Sequence, residues 1–292
     1  MNPKYPLYIV SKGRSDSRLT SRALESMGVP YNIIVEQSEY DDYASVINPT
    51  KILILPEKYK DEYDVFDNLG RTKSIGPGAA RNFAWDHSVE GGHDRHWVMD
   101  DNIWKFYRYN RNTIIQVNSG TFFQVMEDFC DRYKNVAMSG PNYEMFVMRR
   151  KNDQPPFVMN TRIYSCNLIK NDTPYRWRGR YNEDTDLSLR MLKDGWCTVQ
   201  FNAFLQKKTA TQKLKGGNTE EFYKKEGTYC KSDIQVRMHP DVSKMVWRFG
   251  RIHHHVDYRP FKGNRLIKRE GVEVSSGVNN YGMVQSKKVG ID

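Results

Sequence analysis

The sequence predicts an α/β fold that opens as a parallel, doubly wound sheet, and three observations carry that prediction. Short β-branched runs alternate with an amphipathic helical stretch between Tyr5 and Leu55. Residues suited to holding ligands sit where the runs end, at Ser11 to Arg14, at Glu36 and at Asp100. A Gly-Pro-Gly helix start at Gly76 to Gly78 precedes a further buried strand. Ligands of such sheets gather outside the carboxyl ends of the strands, where all three groups of residues fall.

Tyr5 to Val10 alternates and branches like a strand, and Ser11-Lys12-Gly13-Arg14-Ser15 breaks it. A helix is expected from Arg18 to Met27, with Leu19, Ala23, Leu24 and Met27 as its stripe and Gly28 and Pro30 as its stop. Tyr31 to Val35 reads as a second strand, ending in Glu36, and Lys51 to Leu55 as a third, ended by Pro56. Pro77 in a first helical turn marks the next helix, whose Ala80, Phe83, Ala84 and His87 face the core. Arg81 and Asn82 are then expected on its other side, within the first turns, where a helix start can meet an anionic or nucleotide ligand. A solvated Arg-Asn pair on an ordinary amphipathic helix is the plainer alternative.

Trp97 to Met99 is a short buried strand running into Asp100-Asp101-Asn102. Strand alternation would aim Asp100 and Asn102 at one site and Asp101 elsewhere. A carboxylate and an amide oxygen there suit a hard divalent ion holding a diphosphate, whereas an Asx-rich turn would need neither. The middle is less regular. Phe122 to Tyr133 looks helical, and Val136 to Ser139, Phe146 to Met148 and Thr161 to Leu168 look like strands. Asn182 can cap a helix whose first turn carries Glu183, Asp184 and Asp186, with Leu187, Met191 and Leu192 inward. Acidic first turns are common for capping reasons alone, but this one follows Arg176, Trp177, Arg178 and Arg180. Trp196 to Phe201 is a further strand, Gly216-Gly217-Asn218-Thr219 a loop, and the segment after Phe261 is Lys-, Gly- and Ser-rich, with partial disorder expected.

With 292 residues, 38% hydrophobic and 13% aromatic, the chain is globular and large enough for one big domain or two small ones. Lys and Arg number 45 against 35 Asp and Glu, a net charge of +10 that favours a polyanionic partner such as nucleic acid. Cys130, Cys166, Cys197 and Cys230 have no paired spacing, which argues for reduced thiols in a cytosolic protein rather than a zinc knuckle. Leu7 to Val10 is too short for a signal peptide and no stretch approaches membrane-spanning length, so a soluble intracellular protein is expected.

Gly76 to Asn82, then Val98 to Asn102, and later Glu183-Asp184 resemble the ordered signature of GT-A glycosyltransferases. More narrowly, Ser11 to Arg14, Asp100 to Asn102, Asn182 to Leu187, Gly216 to Thr219 and His253 to Tyr258 resemble the phage enzymes named TET-associated glycosyltransferases. The resemblance runs from about Tyr5 to about Lys262. It implies a GT-A-like, Rossmann-type mixed sheet flanked by helices over 1–262, with 1–105 binding the nucleotide sugar, 106–262 the acceptor, and 263–292 a basic C-terminal tail. It further implies transfer of a sugar, with inversion, from a UDP-linked donor to the hydroxymethyl group of 5-hydroxymethylcytosine or 5-hydroxymethyluracil in double-stranded DNA. A divalent ion, Mn2+ or Mg2+, is implied at Asp100 and Asn102, completed by His253 or, second, His255. Asn102 departs from the family pattern, which has a third Asp there.

Sugar transfer needs charge relief on the leaving diphosphate and removal of the acceptor's proton. Asp184 matches the family's base, with Glu183 in reserve and Asp186 structural. Lys12, Arg14 and Arg81 are candidates for the donor's diphosphate and Glu36 for its base or ribose, with Ser11, Asn82, Asp100 and Asp101 also placed in the donor site. Trp177, Arg178, Arg180, Lys213, Lys215, Gly217 and Asn218 are candidates for the acceptor. Three rival readings follow: a glycosyltransferase with a carbohydrate or other non-DNA acceptor, a metal-dependent nuclease, and a non-enzymatic nucleic-acid-binding module.

Overall fold

A computed structural model of the chain describes residues 1–66, 75–147, 154–209, 229–248 and 250–272. Its core is a mixed sheet flanked by helices. Four strands, β1 (Leu7–Val10), β2 (Asn32–Val35), β3 (Ile52–Ile54) and β4 (Arg95–Asp100), run parallel in the order β3-β2-β1-β4. Every residue of β1 is buried, because Leu7 and Ile9 pack to one face and Tyr8 and Val10 to the other. That two-sided burial explains why the run is continuously apolar. Helices α1 (Leu19–Ser26), α2 (Tyr40–Ala44) and, later, α5 (Thr121–Asp131) cover the first face. A short α3 (Glu57–Asp61) precedes α4 (Gly78–Glu90), which with α6 (Glu183–Lys193) covers the second.

Beyond β4 the sheet turns mixed. β9 (Cys166–Lys170) lies antiparallel between β4 and β7 (Val136–Tyr143), and β10 (Cys197–Lys208) lies parallel to β7. A hairpin of β5 (Ile103–Asn110) and β6 (Thr113–Gln116) closes that edge, and β8 (Phe157–Met159) also pairs with β10. One sheet thus crosses both expected halves, and β5 itself straddles residue 105. A second sheet is the hairpin β11 (Ser243–Arg248) and β12 (Arg251–Val256), against which α7 (Tyr229–Met238) packs.

Several expected elements need correction. Phe146 to Met148 is no strand over its described part, since Glu144–Phe146 forms a 3-10 turn and Met148 lies outside the described residues. The strand expected at Thr161 starts only at Cys166, after the left-handed Ser165. Asn182 precedes α6 but does not cap it. Its backbone is left-handed (φ 55) and its amide donates to the Lys231 carbonyl at 2.7 Å. After Phe261 the described residues run to Val272. Lys134 and Arg269 exchange backbone bonds with Ile267 and Arg132, and Asn135 holds the Ile267 amide at 2.8 Å. Lys213, Lys215, Gly217, Asn218 and residues 273–292 lie outside the described residues.

Candidate active site

The parallel strands end level with one another. Val10 is in register with Ile34 and Asp100, so Ser11, Glu36 and Asp101 emerge along one edge. The start of α4, the start of α6, the end of β10 and β12 close round that edge to form a cavity of about 680 Å³. Its lining includes Ser11, Lys12, Arg14, Glu36, Arg81, Asp100, Asp101, Asn102, Arg180, Glu183 and Asp184. Such a volume suits a ligand of nucleotide-sugar size.

Asp100 is the centre of the charge network. Its Oδ1 accepts from Arg81 Nη2 at 2.7 Å and its Oδ2 from Lys208 Nζ at 2.6 Å. Burial alone would push this carboxyl up, but Lys208 and Arg81 more than reverse that and hold it well below the usual range. Lys208 also donates to Ser165 Oγ at 2.8 Å; burial opposes its charge, and Asp100 overrides that opposition. The expectation that Asp101 points elsewhere is corrected. The strand stops at Asp100, alternation stops with it, and Asp101 joins the same cavity. It forms an ion pair with Arg14 and accepts from Ser11 Oγ at 2.7 Å, while burial raises its carboxyl. Lys12 pairs with Glu36 at 3.1 Å.

Arg81 is likewise on the inner side of α4, not the outer. It is 2% exposed, because the chain from Tyr175 to Glu183 covers the face that the helical pattern left to solvent. Its guanidinium lies over the Trp177 ring (4.6 Å) and reaches Glu183 Oε1 at 3.3 Å. Asn82 is outside the cavity lining and exchanges bonds with the Trp177 backbone at 2.8 and 3.0 Å. Glu183 is mostly, not fully, buried, and that desolvation together with the neighbouring Asp184 outweighs Arg81 to push its carboxyl up to about 7. Asp184 accepts from the Thr185 amide at 2.7 Å through one oxygen.

Of the expected acceptor residues only Trp177, Arg178 and Arg180 are described. Trp177 is buried under Arg81, Arg180 is buried in the lining, and Arg178 is paired with Asp186. Three aromatic rings also line the cavity. Tyr143 packs at a tilt against Tyr164 (centroids 4.4 Å) and against the half-exposed Phe146 (5.5 Å).

An implied divalent ion does not fit the described side chains. Both oxygens of Asp100 are held by cationic side chains, and Asn102 contributes one buried, unpartnered amide oxygen. His253 and His255 share the parity of β12 that misses the cavity, and His254 lines it instead. Burial, Lys231 and Arg162 push His254 down to about 3, leaving a neutral imidazole. Among the described residues no three His, Cys, Asp or Glu side chains converge as ligands. Sequence reasoning missed Lys208, Ser165, Arg162, Lys231 and His254. His254 carried a signal, as the middle of a triplet whose face was misassigned, and Lys208 one as half of a basic pair with Lys207.

The family model for TET-Associated Glycosyltransferase matches residues 5–217. No curated protein matches the chain. Among solved structures, a mannose-1-phosphate geranyltransferase from Thermus thermophilus is 10% identical, with a TM-score of 0.30. The match covers 80% of this chain and 64% of that one, so less than two thirds of that protein's length is spanned.

Proposed function

The chain belongs to the TET-Associated Glycosyltransferase family; from that premise we propose that it is a glycosyltransferase moving a sugar from a nucleoside diphosphate sugar, UDP-linked, to the hydroxymethyl group of a modified pyrimidine in DNA. The single observation that carries the placement of this chemistry is Arg81, which touches Asp100 at the strand ends and Glu183 at the start of α6. It joins a place for a diphosphate to a place for a base.

In the proposed reaction the bond from the sugar's anomeric carbon to the β-phosphate oxygen breaks, and its electron pair leaves with the diphosphate. The acceptor's hydroxymethyl oxygen forms the new bond to that carbon, and its proton passes to a carboxylate at the head of α6. Asp184 is the proposed acceptor of that proton and Glu183 the alternative. Arg81 and its cationic neighbours offset the charge that develops on the leaving group. The aromatic side chains of Phe146, Tyr143 and Tyr164 support a planar acceptor, since a base gains stacking energy on such rings. Incubating hydroxymethylated DNA with a panel of nucleotide sugars and weighing the digested nucleosides tests the reading. A hexose or pentose mass added to hydroxymethylcytosine or hydroxymethyluracil is the expected outcome. Sugar added to a carbohydrate acceptor but not to DNA would overturn the assignment of the acceptor.

A further inference from the structure

Lys208, one of a basic pair with Lys207 in the sequence, stands beside Asp100 at the strand ends. It is the last residue of β10, 12 residues long. The pairing of β10 with β5 shifts register between Lys207 and Lys208, an irregularity of the kind that re-aims a side chain at sheet ends near active sites. The following residue is pinned, with the Thr209 amide donating to the Asn102 carbonyl at 3.1 Å. The backbone thereby delivers the ammonium to Asp100 and Ser165.

We propose that Lys208, together with Arg81, neutralises the donor's diphosphate directly, so that donor binding needs no divalent cation. This rests on the glycosyltransferase reading given above. A metal entering at Asp100 would have to displace two paired cationic side chains against their charge, and Asn102 offers it only a neutral oxygen. A diphosphate faces no such barrier. It takes Lys208 by exchanging one anionic oxygen for another, while Arg81 keeps Asp100 in place. A flexible stem bearing three donors on a point charge suits that exchange, and the fixed fork of Arg81 suits the part that stays. Asp100 is then a holder that keeps Lys208 extended into the cavity before the donor arrives, not a ligand to an ion.

Calorimetric titration with UDP, and with ADP, GDP and CDP as alternates, is run on the full chain in EDTA and again in Mn2+. The same affinity is expected in both buffers for the nucleotide that binds. Lys208→Met should weaken it by roughly 10–100-fold in EDTA, with Lys208→Arg retaining most of it. Binding that appears only with Mn2+ overturns the proposal while leaving the glycosyltransferase reading intact, and so does wild-type affinity in Lys208→Met. No binding of any nucleoside diphosphate in either buffer overturns both. Should Lys208→Met fail to fold, the wild-type comparison of EDTA with Mn2+ and the Lys208→Arg variant still decide.

Discussion

Glu183 and Asp184 are adjacent, yet their surroundings differ enough to separate their roles by experiment. Glu183 is mostly buried beside Arg81 and its carboxyl is raised to about 7, so near neutral pH protonation competes with its use as a base. If it takes the proton, kcat/KM should rise with pH through about 7, and Glu183→Gln should abolish that limb. A profile without that limb would exclude Glu183 as the base. Asp184→Asn should then lower turnover by roughly 10²–10⁴-fold with nucleoside diphosphate affinity nearly unchanged. The same shift has a stability sign. The folded state holds the Glu183 proton more tightly than the unfolded chain, whose value is 4.5. Between that value and about 7 the native form binds more protons, so stability falls as pH rises. Melting temperatures of wild type and Glu183→Gln from about pH 5 to 8 check this. The wild type should lose ground to the variant on going up in pH, and parallel curves would refute it.

At the scale of elements, α6 is held by Asp186 rather than by a cap. That carboxylate is fully buried and accepts from Arg190 at 2.8 Å, His239 at 2.9 Å and Arg178 at 3.1 Å. Burial opposes its charge, and His239, Arg190 and Arg178 hold its carboxyl below the usual range. Asp186→Ala strands these groups and should cost about 2–4 kcal/mol, toward the low side of buried pairs because both arginines are partly solvated. Denaturant melts of the variant provide the check, and an unchanged midpoint would show that α6 is held by its apolar face alone. The elements legible in the sequence were those with a clean period. β1, β2, β3 and α1 appear within a residue or two of their expected bounds. β5 and β6 did not show, because Trp104, Lys105 and Arg108 break the apolar alternation of a strand that is covered unevenly. Their turn did leave a mark, at Arg111 and Asn112, both left-handed (φ 45 and 61) as a two-residue hairpin loop requires. Arg81 was misplaced because a helical pattern assumes one buried face, and α4 is covered on two. The histidine triplet was misread by one residue, since alternation pairs His253 with His255 but says nothing of which face meets the cavity. The pairing of β12 with β11 and its seat on α7 decide that, and both are long-range.

For the molecule as a whole, a net charge of +10 and a recessed cavity set the terms on which a duplex can be used. The C5 substituent of a pyrimidine faces the major groove, but a stiff duplex does not enter a recess lined by strand ends. If DNA is the acceptor, as proposed, the modified nucleotide is expected to be extruded, at a cost of a few kcal/mol that a mismatch would reduce. Turnover should be faster on a mismatched site than on a paired one, and DNA affinity should fall steeply with salt. Equal rates on both substrates, with no salt dependence, would argue against DNA as the acceptor.

The strand order has a consequence for how the chain comes into being. β9 lies between β4 and β7, and β10 between β7 and β5, so each later strand enters a gap bordered by two earlier ones. On the ribosome the sheet cannot be completed on either side of β7 until residues 166–208 have emerged. A sheet wound from such distant partners folds slowly, and its bare edges invite pairing with other chains meanwhile. A fragment ending before Cys166 is accordingly expected to aggregate rather than to wait as a soluble half.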